Sequence, residues 1–332
     1  MVAVAITERL RRDGKSTRAA GPRTSATGDT ALVFVDHCPK CSNPWIEQPE
    51  RLGTAPHDFT DLAFRCDSCG IGFSNATDPS SRVLIRAKYA DNVPPEVVDG
   101  LDVVLASALN VQARAKKLWA FASANSEDAA TWTIARALES IGSLASFLSP
   151  GLRSLSSNPG QALLWGVPLT PGAADAVAAT IVKVSDDLRE QPMSRSEPDL
   201  ILVWPDLIAF VEVKLDSLNE HKPPTYKGWD TYLQSSGLFA SDDAAVRQAG
   251  WYELARNWVI GNQVAALHAA RFVLVNLGPA KLAKQAKSFG DQLAQGPQRA
   301  FEHRRWAEVL DASPALPTWA VSYAAELGLE QR

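Results

Sequence analysis

The stretch EPDLILVWPDLIAFVEVK, residues 197–214, decides the fold. Two β-rich apolar runs, 200–204 and 207–213, flank Pro205-Asp206, and a Pro-Asp pair between such runs predicts a hairpin with a two-residue turn. That turn pairs Leu200 with Val211 and sets Asp199 opposite Glu212, with Cβ atoms about 5 Å apart. Lys214 lies two residues beyond Glu212 and so shares its face, while Val211 and Val213 point the other way, into a core. Asp206 also follows a proline but is read as a turn residue.

Like charges set opposite each other destabilise a hairpin. The runs around them are long and apolar, which predicts a mostly buried sheet; the competing reading is a solvated edge hairpin with ordinary surface charges. A divalent cation turns the repulsion into binding. Mg²⁺ or Mn²⁺ prefers hard oxygen ligands and retains several waters. Held against a scissile phosphate by Asp199 and Glu212, it would polarise the phosphorus and stabilise the leaving oxygen. Lys214 would orient or help deprotonate the attacking water, or neutralise charge on the pentavalent phosphorus. The polar loop Asn219-Glu220-His221-Lys222 is expected to face the substrate backbone.

Outward from the hairpin, helical signals alternate with strand signals. On the N-terminal side a helix is expected within 96–119, after the break Asn92-Val93-Pro94-Pro95. A second begins at Ser126, a good N-cap followed by Glu127 and Asp128, which suit the helix dipole. Residues 146–171 are rich in Ser, Pro and Gly and read as loop, with a short apolar piece at 162–167. Val177, Ile181, Val184 and Leu188 mark another helix. On the C-terminal side helices are expected at 242–266, 279–294, 300–311 and 318–330, with a strand at 271–277. Strands mixed with long helices give an α/β class with a central mixed β-sheet flanked by helices, from about residue 116 to 332.

The four cysteines fall as Cys38-Pro-Lys-Cys41 and Cys66-Asp-Ser-Cys69-Gly70. Two CxxC turns supply four thiolates for a tetrahedral structural Zn²⁺ with no position open to substrate. An iron–sulfur site has the same ligand type, and disulfides are disfavoured in a reducing compartment. Gly70 lets the backbone relax at its turn. Apolar runs at 31–35 and 62–64 are the expected strands of a small zinc ribbon over 31–80, a module too small to hold itself together without metal. Residues 1–30 read as a flexible basic tail and 81–115 as linker and helix.

Composition bounds the rest. The chain has 332 residues, 46% of them hydrophobic and 21% charged, which suffices for a substantial core. Ten tryptophans are many for this length and are assigned to cores. No apolar run is long enough to span a bilayer. Arg9, Arg11 and Arg12 follow the short apolar start, the reverse of a secretory signal, so a cytoplasmic location is expected. A formal net charge of −4 does not advertise nucleic-acid binding. Local basic segments, the N-terminal arm, Lys281/Lys284/Lys287 and His303-Arg304-Arg305, offset it or are ordinary solvated faces.

Pro198-Asp199, thirteen residues on to Glu212, then Val213-Lys214, resembles the PD-(D/E)xK nuclease superfamily. The resemblance covers 126–277 and implies a restriction-endonuclease-like core: a helix, the acidic hairpin, a further helix and a further strand. It implies Mg²⁺-dependent cleavage of nucleic acid, most often DNA. It also implies an acidic residue on the first core helix, for which Glu127 is chosen over Glu139; twelve residues at 100° each separate the two by about 120° around a helix. Gln248-Ala-Gly-Trp-Tyr252 resembles the QxxxY element of the exonuclease-like branch, with spacing that would put Gln248, Tyr252 and Arg256 on one helical face toward the nucleic-acid backbone. Tyr226, Trp229 and Tyr232, between Lys214 and that helix, are where specificity is expected. Nucleases joining this core to a zinc module resemble restriction, repair or anti-phage defence proteins and would work with partner proteins of such systems. No G-x-x-x-x-G-K-[ST] loop is present, so an ATP-driven step would need another protein. A homodimer is among the open oligomeric states. The competing classes are a catalytically silent nucleic-acid-binding module with this core, and a zinc-ribbon protein-interaction protein.

Overall fold

The computed structural model describes residues 37–38, 40–77, 83–110, 114–153, 160–234 and 237–332. The expected basic tail at 1–30 and the expected strand at 31–35 lie outside them.

Short strands β1 (Ile46–Glu47), β2 (Phe64–Cys66), β3 (Ile71–Phe73) and β4 (Leu84–Arg86) form an antiparallel sheet in that order. The expected strand at 62–64 thus starts two residues later. The sheet extends past the boundary expected at 80, because β4 pairs with β3 in a region read as linker. The outer side of β4 grips the next segment: the Arg86 N–H donates to the Ala122 carbonyl at 2.9 Å, and the Ala124 N–H to that of Leu84 at 2.8 Å. Leu62, Ile85 and Ala122 share a small apolar cluster across this junction. The metal module is therefore stitched to the start of the main helical layer.

Helices α1 (Leu101–Ser107) and α2 (Arg114–Phe121) stand where one helix over 96–119 was expected. Helix α3 (Glu127–Ser140) begins as its sequence dictates: the Ser126 hydroxyl accepts the Ala129 N–H at 3.1 Å, and Glu127 and Asp128 fill the first turn. The large sheet holds β5 (Gln161–Leu164), β6 (Val167–Pro168), β7 (Leu200–Val203), β8 (Leu207–Val213), β9 (Arg271–Leu277) and β10 (Arg299–Arg304). Its order is β10-β9-β8-β7-β5-β6, parallel between β8, β9 and β10 and antiparallel elsewhere. Between the strands lie α4 (Ala173–Asp187), α5 (Trp229–Leu233), α6 (Asp243–Ala249), α7 (Tyr252–Leu267) and α8 (Ala283–Gly290); α9 (Trp306–Asp311) and α10 (Thr318–Glu326) follow.

Three expectations are corrected here. The piece at 162–167, read as loop, forms β5 and β6; Ala162, Leu163 and Leu164 are fully buried beside β7, and that burial outweighs the turn-rich flanks. Residues 299–304, within which a helix was expected to start at 300, form β10, where each residue pairs in parallel with β9. The helix expected over 242–266 is two helices. Gly250 takes φ +77°, a left-handed conformation that closes α6 with its N–H on the Val246 carbonyl at 3.2 Å.

Alternation along the strands sorts the core into two layers. Leu200, Leu202, Leu207, Ala209, Val211 and Val213 face α3 and the C-terminal helices. Ile201, Val203, Ile208, Phe210, Phe272 and Leu274 face α4 and α7, where Phe210 and Trp258 each pack on Phe272, with centroids 5.4 and 5.7 Å away. Each such fully buried side chain contributes about 1.5–3 kcal/mol. Five tryptophans, 132, 165, 229, 258 and 306, are fully buried and belong to the core, as expected.

Candidate active site and metal centre

The hairpin has the expected register: Leu200 pairs with Val211, Val203 with Ile208, and the Trp204 N–H donates to the Leu207 carbonyl at 2.8 Å around a Pro205-Asp206 turn. Asp199 sits at the mouth of β7, and its Oδ2 accepts the Val213 N–H at 2.8 Å. Glu212 lies on the α7 side of β8, 3% exposed, and Lys214 follows just past the strand, 7% exposed. The three side chains gather where parallel strands β8 and β9 end, beneath the N-terminus of α7.

Two further residues complete this cluster, and the sequence reading singled out neither. Lys214 Nζ donates to Glu212 Oε1 at 2.6 Å and to Glu253 Oε2 at 3.0 Å. Asn257, fully buried one turn along α7, donates through Nδ2 to Glu212 Oε2 at 2.7 Å. Glu253 and Asn257 are four apart on α7 and so share a face, which was the available signal. Lys214 lies among three carboxylates, Glu212 buried and Asp199 and Glu253 half-buried, with the Arg256 guanidinium also acting on Glu253 and Glu212. Burial, with Asp199 and Glu253 alongside, pushes the Glu212 carboxyl well above its ordinary range despite Lys214. Burial and the nearby Asp128 move Asp199 up to about 7, against Lys214, the Val213 N–H and Lys117. Lys214 is held well above its ordinary value because Glu212, Glu253 and Asp199 outweigh the cost of burial.

On α3 the expected carboxylate divides into two roles. Glu127 Oε1 accepts the Leu215 N–H at 2.8 Å and the Ser217 hydroxyl at 2.7 Å, so it holds the loop leaving Lys214. Asp128, the neighbour passed over in the sequence, pairs with Lys117 at 3.2 Å and acts electrostatically on Asp199. Lys117 also pairs with Glu197 at 3.1 Å and lies 4.4 Å above the Trp165 ring. Glu139, the competitor of Glu127, pairs with Arg136 at 2.5 Å, about 18 Å along the helix from Glu127.

Gln248, Tyr252 and Arg256 do not share a helical face, because Gly250 ends α6 between the first two. Gln248 is exposed at the end of α6, whereas Tyr252 is 8% exposed at the start of α7. The Tyr252 ring meets Tyr226, Trp229 and Tyr232 edge-on, with centroids 5.0, 5.2 and 5.7 Å away. Trp229 and Tyr232 are therefore core, and Tyr226 alone of the three is exposed. Arg256 feels the charges of Glu253, Glu212 and Glu190. Of the loop expected to face substrate, Asn219 turns inward and exchanges amide hydrogen bonds with Asn276 at 3.0 and 2.9 Å, both buried, and the Glu220 N–H donates to Glu253 Oε2 at 3.2 Å, while His221 is exposed. Of the basic segments, His303 and Arg304 are strand residues, Lys281 donates to the Asp216 carbonyl at 2.6 Å, and exposed Lys287 pairs with Asp291.

The cysteines make a second centre. All four sulfurs lie within 4.8 Å of one another, the one such group of His, Cys, Asp or Glu ligand atoms among the described residues. Cys38 and Cys69 approach to 3.3 Å, Cys41 and Cys66 to 3.5 Å. Four thiolates around a tetrahedral zinc stand roughly 3.8 Å apart, so the donor set fits Zn²⁺ in type, number and spacing. The two turns are equivalent: the Ser42 N–H returns to the Cys38 carbonyl at 2.8 Å and the Gly70 N–H to that of Cys66 at 2.9 Å, with φ +60° and +66°. Burial opposes ionisation of Cys66, but N–H groups of Cys69 and Ser68 and the neighbouring thiols bring it down to about 7, whereas burial pushes Cys69 up to about 12.

No family model, no curated protein and no solved structure matches the chain. Its own geometry defines it as an α/β protein with a mixed sheet flanked by helices and a buried four-cysteine cluster capable of metal coordination. No helix among the described residues is long and apolar enough to cross a membrane.

Proposed function

We propose that the chain is a divalent-metal-dependent nuclease of the PD-(D/E)xK type, acting on nucleic acid and most readily on DNA, with a structural zinc in its four-cysteine module. The observation that carries this is the cluster on one sheet face: Asp199 and Glu212 brought together by the hairpin register, with Lys214 2.6 Å from Glu212. Hard carboxylate oxygens gathered at one strand end are the donor set that Mg²⁺ or Mn²⁺ takes, and Asp199 and Glu212 are the residues that would hold it. The ion would polarise the scissile phosphate and stabilise the leaving oxygen.

The side chains divide the remaining work. Asn257 fixes the rotamer of Glu212, and the Val213 N–H fixes that of Asp199. Glu253 keeps Lys214 charged and aimed along the hairpin, where its ammonium meets negative charge building on a phosphate. Glu127 holds the loop after Lys214 in place. A role in restriction or anti-phage defence rests on the family resemblance, as do contacts from Gln248, Tyr252 and Arg256 to the nucleic-acid backbone.

The test is cleavage of linear, circular, nicked and single-stranded DNA and of RNA, with Mg²⁺, Mn²⁺ or EDTA, by wild type, Asp199→Ala and Lys214→Ala. Metal-dependent cutting by wild type, lost in both variants, is expected; cutting that survives both sinks the assignment. A second reading, a module that binds nucleic acid without cutting, draws on the saturation of Glu212, whose two oxygens are already engaged. Tight binding with no cleavage in any metal would select it.

A further inference from the structure

A cavity of about 530 Å³ opens between the small sheet and the C-terminal helix, lined among others by Arg86 of β4, Asn125, and Trp319, Tyr323 and Glu326 of α10. Arg86 is unusual in it. Its Nε is buried without a hydrogen-bond partner, and its guanidinium makes no ion pair among the described residues. The Glu326 carboxylate likewise has no hydrogen bond or ion pair among them. Burial holds the Tyr323 phenol above its ordinary range, Glu326 adds to that and Arg86 opposes it, so the three groups share one wall.

A guanidinium nitrogen held away from water without a partner costs stability. The five donors of the planar fork suit a phosphate or carboxylate. The half-buried Trp319 indole, with Pro94 also in the lining, offers a flat apolar surface of the kind on which bases stack. A free carboxylate accepts from a base's exocyclic amine. The volume lies in the range of small-ligand sites. An anion, a flat ring and an amine edge together describe a nucleoside phosphate. Asp91 and Glu96 sit exposed on the rim, so net charge does not drive binding and shape and pairing must.

The cavity also adjoins the acidic hairpin. Arg332 in its lining pairs at 2.9 Å with Asp216, two residues past Lys214. Asn125 lies two residues before Glu127, which grips Leu215 and Ser217. We propose that this cavity is a nucleotide subsite that takes one nucleotide of the strand cut at the hairpin, its phosphate on Arg86, its base against Trp319 and its base edge on Glu326. The strand assignment rests on the nuclease reading; the pocket's ligand chemistry does not.

The test uses the full zinc-loaded chain without Mg²⁺ or Mn²⁺, titrated calorimetrically with dAMP, dGMP, dCMP and dTMP singly, with inorganic phosphate, and with a short acidic peptide. At least one mononucleotide is expected to bind with Kd below about 1 mM. Arg86→Gln and Trp319→Leu each should weaken it about tenfold or more, and phosphate alone should bind at least tenfold more weakly. Arg86→Gln should melt no lower than wild type, since the guanidinium it removes is unpaired; a lower melting temperature would mark Arg86 as structural and overturn the proposal. So would absence of mononucleotide binding, binding indifferent to Arg86→Gln, or an acidic peptide binding as tightly. If mononucleotide binding falls in Arg86→Gln while no nucleic acid is cleaved, the pocket stands and the nuclease reading fails. If cleavage occurs with a KM unchanged by Arg86→Gln, the strand assignment fails.

Discussion

Asp199→Asn separates the charge of the acidic hairpin from its hydrogen bond. Asparagine Oδ1 can still accept the Val213 N–H that the carboxylate takes at 2.8 Å, while the negative charge is gone. Burial, with Asp128 beside it, moves the Asp199 carboxyl from 3.8 to about 7. Ionising it in the fold rather than in the unfolded chain therefore costs up to about 4 kcal/mol. Water reaching this half-buried residue reduces the penalty, which leaves about 2–4 kcal/mol.

The sign follows from which state binds the proton more tightly. The folded pKa is raised, so the stability it confers is fully present below about pH 4 and is lost as the pH rises through about 7. In buffer free of Mg²⁺ and Mn²⁺, with the zinc retained, wild type and variant should be nearly matched at about pH 4, and at pH 8 the variant should be more stable by about 2–4 kcal/mol. At pH 8 Mg²⁺ should stabilise wild type, by roughly 2.7 kcal/mol at a hundredfold excess over Kd, and leave the variant unmoved. Denaturant unfolding followed by near-UV circular dichroism reads both effects. A gap independent of pH refutes the buried-charge argument; equal Mg²⁺ stabilisation of the two proteins refutes the cation cradle.

The zinc assignment predicts one zinc per chain by elemental analysis and its loss in Cys66→Ser. Because β4 holds Ala122 and Ala124, that variant should also show faster amide exchange over 122–130; unchanged exchange would show that the module and α3 are uncoupled. Gly250→Ala places a side chain at φ +77° with its Cβ 2.1 Å from the His221 ring. It should cost about 1–3 kcal/mol of unfolding free energy, and a neutral result would mean that the turn between α6 and α7 rearranges freely. Asn276→Ala strands the buried Asn219 amide and should cost about 2–3 kcal/mol, with the Asn219→Ala/Asn276→Ala double variant losing less than the two singles combined. Additive losses would show that the amide pair is not a unit.

What the sequence made legible was local. The register of β7 and β8 follows from a two-residue turn and strict alternation, both readable within the stretch 197–214. The cysteine turns are likewise set by spacing within each CxxC, although Ser42 adopts in one turn the left-handed geometry that Gly70 adopts in the other. Illegible features depend on distant neighbours. β10 carries Arg299, Glu302, His303 and Arg304, a polar set that reads as a helix surface until β9 supplies its hydrogen bonds. Glu253 and Asn257 look like ordinary helix polar residues, and only the packing of α7 over β8 reveals that both reach the Glu212–Lys214 pair. Glu127 and Asp128 are adjacent, and only the path of the loop after Lys214 decides which of them it occupies.

The ion-pair arrangement itself argues for chemistry over architecture. A buried pair such as Glu212 and Lys214 is replaceable by apolar side chains at little or no cost to stability, and often with a gain. The surrounding β8 residues are all buried, five of them between Ile208 and Val213 apolar, so an apolar continuation of the strand was sterically available. Instead a carboxylate excess collects at one strand end, and Asn257 and Glu253 are given over to orienting it. Lys117, a half-buried cation, is also met by two acids, Asp128 and Glu197, on the other flank of Asp199. Each lysine thus acts on Asp199 electrostatically while its close ion pairs go to other carboxylates. On the proposed nuclease reading, the Asp199 oxygen left over from the Val213 hydrogen bond would be the first ligand for an incoming cation.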